Sequence, residues 1–160
     1  MTHITGIYDE DLQETVAKNN ISIDREVLKQ AGSIIARKEY RLIHERGYHA
    51  TMLGGGARGL HHFTEFVGGD AHVTMNWGTF DELMQADTQI VSRINAEDSD
   101  EVIAELCEKL PDFQRAYVDD GYTTAEFALI PGVIRFRNSF IKGWRHLASE
   151  VKKQRALITA

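Results

Sequence analysis

The stretch EYRLIHERGYHATMLGGGARGLHHFTEFVGGDAHVTMNWGTFDELMQAD, residues 39–87, decides the fold class of this chain. An amphipathic helix ends at Gly47, and the apolar run ATML then leads into three consecutive glycines. The segment ARGLHHFTEFV reads as a second helix, AHVTMNW as a second strand, and TFDELMQA as a third helix with Thr79 and Glu82 as a capping box. Helices and strands that alternate at this short spacing are typical of βα units, so the stretch predicts an α/β fold with a parallel sheet.

The residues before this stretch supply another helix and another candidate strand. A long helix is predicted over 22–47, with Ser22 and Asp24 as N-cap candidates and Gly47 in the position of a C′ glycine. At the start of the chain, THITGIY is expected to be a short strand or the loop that trails one, and residues 9–18 a short helix. The chain therefore encodes two strands, or three with the N-terminal one.

The second half of the chain is predicted to be helical. DSDEVIAELCEKL is a capped helix stopped by Pro111, and TTAEFAL begins with a possible capping box at Thr123 and Glu126. The last helix, about 135–155, carries one apolar stripe that we expect to pack on the domain's own core: Phe136, Phe140, Trp144, Leu147 and Val151. The chain thus divides into an α/β part, residues 1–95, and a helical C-terminal extension, residues 96–160.

Composition and charge exclude several classes of protein. The 160 residues are 42% hydrophobic and 26% charged with a net charge of −6, as in an ordinary globular domain. Lys and Arg are dispersed, so nucleic-acid binding is not expected, and no apolar run is long enough to span a bilayer. The single cysteine, Cys107, lies at an apolar helical position and is expected to be a buried structural thiol. These features fit a protein of the reducing cytoplasm without membrane partners.

Two or three parallel strands do not make a self-sufficient sheet, because parallel strands need neighbours on both edges and cover on both faces. Either the helical second half wraps the short sheet, or another polypeptide completes it. We favour the second arrangement, since natural sheets have more strands than this chain supplies.

The segments HERGYHATMLGGGARG and GGDAHVTMNW, in this order and spacing, resemble the C-terminal third of transaldolases. In that family a helix ending in Gly-Tyr precedes the seventh strand, a small-residue loop with an arginine, the seventh helix and the eighth strand. LCEKLPDFQRAY and FRNSFIKGW resemble the tail of the longer transaldolase-related sequences, and THITGIYDEDL the end of the sixth strand. The resemblance implies a partial TIM (β/α)₈ barrel, the last two or three βα units with a helical C-terminal extension, completed by another chain.

The resemblance also implies class I aldol chemistry, in which a lysine on the fourth strand forms a Schiff base with a ketose and early-strand carboxylates move protons. Those strands are absent here, and the lysines of this chain fall on predicted helices or loops. We therefore expect no catalytic residue in this chain, no cofactor and no metal, and no activity from the chain alone.

What the family keeps in this region is the phosphate end of the site. Its arginine after the seventh strand matches Arg58, and the preceding small residues match Gly54, Gly55 and Gly56. Glycines let a backbone approach an anion, and a guanidinium grips two oxygens at once. The pattern departs from the family at Gly56, where a hydroxyl is usual, and at Gly6, which replaces a second arginine, so a polar headgroup other than phosphate stays open. Equally, the glycines serve a tight turn, and Arg58 a surface ion pair.

Three more residues are candidates for the rim of the site. His61 lies one turn past the glycine loop, while Asn76 and Trp77 close the predicted eighth strand, where an amide binds a sugar hydroxyl and an indole stacks on a ring. Packed or solvated roles compete with each of these. His61 and His62 are expected to point in different directions on a helix, and no His-x₃-His pattern occurs, so a zinc site is not predicted.

Two functional hypotheses follow. In the first, the chain is one subunit of a split transaldolase-like enzyme and supplies the sugar-phosphate-binding rim, while a complementary barrel chain carries the lysine. In the second, it is a non-catalytic remnant that self-associates as a homo-oligomer and binds a sugar phosphate or regulates a full-length relative. A third reading is that the 160 residues are a piece of an intact barrel.

Overall fold

The structure, a computed structural model, describes residues 1–158. The elements in chain order are β1 Thr2–His3, α1 Thr5–Asn19, α2 Arg25–Leu28, α3 Ala31–Glu45, β2 Met52–Gly54, α4 His61–Thr64, β3 Ala71–Val73, α5 Trp77–Gln85, α6 Asp100–Lys109, α7 Pro111–Tyr117, α8 Thr124–Phe127 and α9 Pro131–Ile158. The predicted mixed α/β class is confirmed, with helix far exceeding strand.

The three strands form one parallel sheet in the order β1-β2-β3. Thr2 pairs with Leu53, which in turn pairs with His72. Each strand is followed by helix, so neighbouring strands run the same way and the crossovers carry the helices. All three predicted strands are present, but each is only two or three residues long.

Within residues 1–121, helices cover only one face of this sheet. Met52 is fully buried among side chains of α3 and the segment after α4, and Ala71 and Val73 pack against the same cluster. Because side chains alternate along a strand, the residues between them share the opposite face. That face carries Thr2, Leu53 and His72, of which Thr2 and His72 are exposed and Leu53 partly exposed. We call it the bare face of the sheet.

The predicted helix over 22–47 is interrupted. Asp24 does cap α2, accepting from the Glu26 amide, and Gly47 follows α3 with a φ of +62°, so both of those predictions are confirmed. In the first turn of α3, the Gly32 amide donates to the Asp9 carboxylate at 2.7 Å. This bond diverts an amide that would otherwise continue the helical ladder, and it is the physical reason for the break.

Two other boundaries differ from the sequence prediction. Helix α1 begins at Thr5, not at residue 9, so most of THITGIY is helical. Strand β3 ends at Val73, and α5 begins at Trp77 with Asn76 as its N-cap; the predicted Thr79–Glu82 capping box is wrong because the Thr79 amide donates to Asn76 Oδ1 at 2.9 Å. Asn76 and Trp77 therefore start a helix and do not close a strand.

The main core lies between helices. Its buried members come from α1, α2, α3, α6, α7 and the residue between the last two: Leu12, Leu28, Ala31, Ile34, Leu106, Leu110 and Phe113. Pro111 opens α7 at the first helical position, where its missing N–H costs nothing. Cys107 packs half-buried beside this cluster, where burial raises the pKa of its thiol.

The chain separates into two compact units, Met1–Gly121 and Tyr122–Ala160. The division falls later than the predicted boundary at residue 95, because α6 and α7 supply Leu106 and Phe113 to the same cluster as Leu12. In the second unit the Thr123–Glu126 capping box is confirmed, and α9 buries none of its residues.

Candidate functional site

The carboxyl ends of the three strands are tied together by the glycine loop. The Gly55 amide donates to the His3 carbonyl at 2.8 Å, the Gly56 amide to Thr74 Oγ1 at 3.2 Å, and the Ala57 amide to the Thr74 carbonyl at 3.5 Å. The loop is thus bonded to the ends of both neighbouring strands, at the edge where barrel enzymes place their sites.

Close packing against backbone requires glycine at position 6 of this edge, and a side chain leaves little room at position 55. A Cβ on Gly6 would lie 1.9 Å from the Gly56 carbonyl oxygen, and one on Gly55 would lie 2.8 Å from the Ile4 Cδ1. Gly56 adopts a φ of +61°, a conformation that favours glycine. The glycines therefore serve the tight junction between the loop and α1, and the Gly55, Gly56 and Ala57 amides are satisfied by protein acceptors.

Arg58 is the cation of this edge. Its Nε donates to Glu10 Oε1 at 2.8 Å and its Nη1 to the Gly56 carbonyl at 3.1 Å. The Arg58 side chain is 43% exposed and that of Glu10 34%. An ion pair this exposed is weak in water, so an incoming anion can compete with Glu10 for the guanidinium.

Two of the three further rim candidates, Asn76 and Trp77, do not join Arg58 in a pocket among the described residues. Asn76 uses its Oδ1 to cap α5. Trp77 is 78% exposed, and its ring lies 5.5 Å from the Phe80 ring. The side-chain amide nitrogen of Asn76 and the indole face of Trp77 are the parts that a ligand can reach.

His61 and His62 converge on one carboxylate. His62 Nε2 lies 2.8 Å from Asp9 Oδ2, His61 Nε2 lies 3.6 Å from the same oxygen, and the two ring centroids are 3.9 Å apart. The prediction that they point in different directions is wrong, because α4 is a single turn of four residues with irregular flanks and Asp9 draws both rings to one side.

The ligand atoms of Asp9, His61 and His62 all lie within 4.8 Å of one another, which is a spacing suited to a metal ion. The hydrogen bonds of His62 argue against that use. Its Nδ1 accepts from the Arg58 amide at 3.0 Å, so in the neutral ring Nε2 carries the proton and donates to Asp9. A metal bound to Nε2 would require the ring proton to move to Nδ1. There it would face the Arg58 N–H, and the hydrogen bond from that amide would be lost. The arrangement is a hydrogen-bonded chain from Arg58 through His62 and Asp9 to Gly32.

The Asp9 carboxylate is held ionised. Burial raises its pKa, but the contacts with His61 and His62 and the hydrogen bond from the Gly32 amide outweigh burial, so the pKa lies below its ordinary value. The Asp9 residue itself is only 4% exposed. The buried charge is therefore stabilised by groups from two segments, α3 and α4, and it fixes α1, α3 and α4 relative to one another.

His3 adjoins this network. Burial lowers the pKa of its ring to about 4, more than the nearby Asp9 charge raises it. Its Nε2 is buried and has no hydrogen-bond partner among the described residues. His3 is thus neutral at physiological pH.

A cavity of about 330 Å³ opens beside His61. Its most buried cation, Arg37, is bonded to Asp98 and Glu65, and Asp98 also accepts from Arg41 at 3.2 Å. The acids therefore neutralise Arg37, and the cavity offers no unpaired buried charge to a ligand among the residues that the structure describes.

The residues that organise this region were not evident from the sequence. Asp9 falls in the acidic run YDED, and Arg37 and Asp98 are 61 residues apart. No local pattern marks any of them; only the fold brings them together.

All seven lysines lie in helices or directly after one: Lys18, Lys29, Lys38, Lys109, Lys142, Lys152 and Lys153. Lys38 pairs with Asp119 at 2.9 Å and lies over the Tyr117 ring. The predicted placement of the lysines is confirmed, and the sheet carries no amine.

The chain matches no protein-family model, no curated protein and no solved structure. Within residues 1–158, none of the helices is both long enough and apolar enough to cross a bilayer.

Proposed function

We propose that this chain is a subunit of a split transaldolase-like enzyme, in which it supplies three consecutive barrel strands and the anion-binding rim. The observation that supports the proposal most is the bare face of the sheet, Thr2, Leu53 and His72, opposite a face that is covered by helices. Parallel sheets bury both faces, and in a (β/α)₈ barrel the inner face packs against the remaining strands.

The topology agrees with three adjacent barrel units. Strands that follow one another in sequence are neighbours in the sheet, run parallel, and are each followed by helix. A doubly wound sheet would place helices on both faces, whereas a barrel places them all outside. The remaining strands come, in this proposal, from a complementary chain that pairs with the open edges of β1 and β3.

The surroundings of the lysines indicate which of the two chains carries the nucleophile in this proposal. A Schiff-base amine must lose its proton near neutral pH, which requires a desolvated or electropositive environment. Lys38, which also lies over the Tyr117 ring, is instead paired with Asp119. The complementary chain therefore carries the nucleophilic lysine and the proton-transferring carboxylates.

Arg58 carries the binding role of this chain. The glycine-loop amides are committed to His3 and Thr74, so the guanidinium supplies the attraction for a sugar phosphate by exchanging Glu10 for phosphate oxygens. Its N–H donors remain at the C-terminal edge of the sheet because the backbone of Arg58 is anchored to His62.

A calorimetric titration with fructose 6-phosphate as the probe tests this role. Arg58→Ala should weaken binding about tenfold or more, the loss expected for a charge-assisted hydrogen bond. Arg93→Ala is the matched control, since Arg93 is also half-exposed and paired to a glutamate, but away from the strand ends. Equal affinities for the wild type and Arg58→Ala, or no binding in either, would contradict the assignment.

The open edges of β1 and β3 also suit the second hypothesis, a homo-oligomeric remnant that closes its sheet with copies of itself. Solution mass separates the two: a stable closed oligomer of this chain alone favours the remnant, and recruitment of a different chain favours the split enzyme.

A further inference from the structure

Helix α9 presents an apolar stripe that is not covered within its own unit, of which the structure describes residues 122–158. Phe140, Trp144, Leu147 and Val151 are 64%, 71%, 56% and 50% exposed. An unsupported helix is marginally stable in water, since most helical stability in proteins comes from packing an apolar face. The stripe therefore calls for a partner surface.

The spacing of the stripe is that of a coiled-coil seam. Phe140, Trp144, Leu147 and Val151 are separated by four, three and four residues, the alternation of d and a positions in a heptad. The neighbouring positions Ile141 and Ala148 are apolar as well, which broadens the seam.

Between Phe140 and Val151 no charged side chain occupies an a or d position, and the nearest charge on the seam is Arg137, at the preceding a position. The cations of its central part lie at heptad positions that face away from a partner helix: Lys142, Arg145, Lys152 and Lys153. Two such helices can approach through their seams while their cations stay solvated on the far sides, where salt screens them over about 8 Å.

We propose that α9 pairs antiparallel with α9 of a second copy of this chain. In the register that places a positions against d positions, Trp144 lies opposite Leu147 of the second copy and Phe140 opposite its Val151. Each large aromatic side chain then meets a smaller aliphatic one. A parallel pair would instead stack Trp144 on Trp144 and Phe140 on Phe140, leaving thinner layers at Leu147 and Val151.

The interface has the size of a specific contact. Aromatic side chains bury about 150–250 Å² each, so the exposed fractions of the four seam residues from two copies remove on the order of 1,000 Å² from water. Specific protein interfaces begin near that value.

An anionic membrane fits less well. Residues 122–160 carry seven Lys and Arg against two Asp and Glu, a net +5, but residues 1–121 carry 11 against 22, a net −11. An anionic surface that attracts the helix repels the rest of the chain. The pairing of two copies also stands or falls separately from the proposed enzyme function, because α9 contains none of the rim residues.

The experiment is a light-scattering mass measurement on the full chain. The wild type should show twice the 18.1 kDa of one chain, and Trp144→Ala with Leu147→Ala should show a single chain while keeping helical propensity. Ile90→Ala, at a site 87% exposed outside any helix, is the control and should keep the wild-type mass. A single-chain mass for the wild type, or a double mass that survives the paired substitution, overturns the proposal.

Cysteine cross-linking in a Cys107→Ser background tests the orientation. Chains with Phe140→Cys and chains with Val151→Cys should form a disulfide when mixed and not when oxidised alone, since a disulfide requires Cβ atoms about 3.5–4.5 Å apart. Cross-linking of each variant with itself would show a parallel pair, and recovery of uncross-linked single chains on anionic phosphatidylglycerol vesicles would show a membrane partner; either result overturns the proposal.

Discussion

Helices α3 and α9 are both amphipathic, yet α3 buries eight of its 15 residues and α9 buries none of its 28. The apolar face of α3 meets the sheet on one side and α1 and α7 on the other, and the Asp9 carboxylate holds its first turn through the Gly32 amide. The apolar face of α9 is not covered within its own unit, as far as residues 122–158 describe it. An apolar stripe thus indicates that a helix needs a partner, but it does not say whether the same chain supplies it.

The largest expected effect is at the anchor of α3. Asp9→Ala leaves the His62 and Gly32 donors buried without their acceptor, and should lower the free energy of unfolding by about 3–5 kcal/mol. Urea denaturation measures it. Glu45→Ala, an exposed acid at the other end of α3, should change stability by less than about 0.5 kcal/mol. Similar losses in both variants would show that Asp9 is not an anchor.

Matched truncations should separate the two apolar faces. Ile34→Ala removes a fully buried side chain of α3 and should cost about 2–5 kcal/mol in urea denaturation. Leu147→Ala, in α9, should cost under about 1 kcal/mol when measured on dilute single chains. A large loss for Leu147→Ala under those conditions would mean that α9 packs within its own chain.

Lowering the pH should destabilise the folded chain through the buried groups His3 and Asp9, which lie next to α3. The pKa of His3 is lowered by burial from 6.5 to about 4, so the unfolded chain takes up a proton that the folded chain refuses. Stability is therefore fully present above about pH 6.5 and falls by roughly 3 kcal/mol as the pH drops towards 4. The pKa of Asp9 is also lowered in the folded chain. Protonation of Asp9 therefore removes further stability as the pH falls below the ordinary pKa of an aspartate.

Urea midpoints between about pH 7 and about pH 4.5 measure this decline. His3→Leu should flatten it, because leucine does not titrate. An unchanged slope in that variant would assign the decline to other groups.

The smallest expected effect comes from replacing one glycine in α9 and one glycine in α3 by alanine. A Cβ on Gly143 of α9 would have no neighbour within 4 Å among the described residues, so Gly143→Ala should raise helix stability by about 0.5–1 kcal/mol. Gly32→Ala should act in the opposite direction, because its Cβ would lie 2.6 Å from Asp9 Oδ1 and 2.9 Å from Thr5 Cγ2. Circular dichroism during thermal unfolding gives both signs, and the same sign in both would contradict the contrast.

Local sequence patterns predicted which helices and strands are present better than they predicted where each one begins and ends. The βα rhythm around ATML and HVTM indicated the parallel strands, and the capping residues Asp24 and Thr123 mark helix starts in the structure. The break between α2 and α3 was missed because its cause, Asp9, lies 23 residues away from Gly32. Boundaries set by such distant contacts are not encoded in neighbouring residues.

The same limit applies to the candidate site. The glycine loop and Arg58 became candidates because they match the small residues and the arginine of the transaldolase resemblance and follow a predicted strand. The convergence of His61 and His62 on Asp9 was not, because a regular helix separates adjacent side chains by about 100° and α4 is a single turn flanked by irregular backbone. The number of strands indicated that the sheet needs further neighbours and cover, but the bare face itself was not predicted.

The most direct test of the proposed incomplete barrel is borohydride reduction in the presence of fructose 6-phosphate, followed by mass spectrometry of the peptides. The isolated chain should show no ketose adduct on any of its seven lysines, and a complex recovered with its complementary chain should show one adduct, on that chain. A reduced adduct on a lysine of this chain, formed without any other polypeptide, would contradict the account.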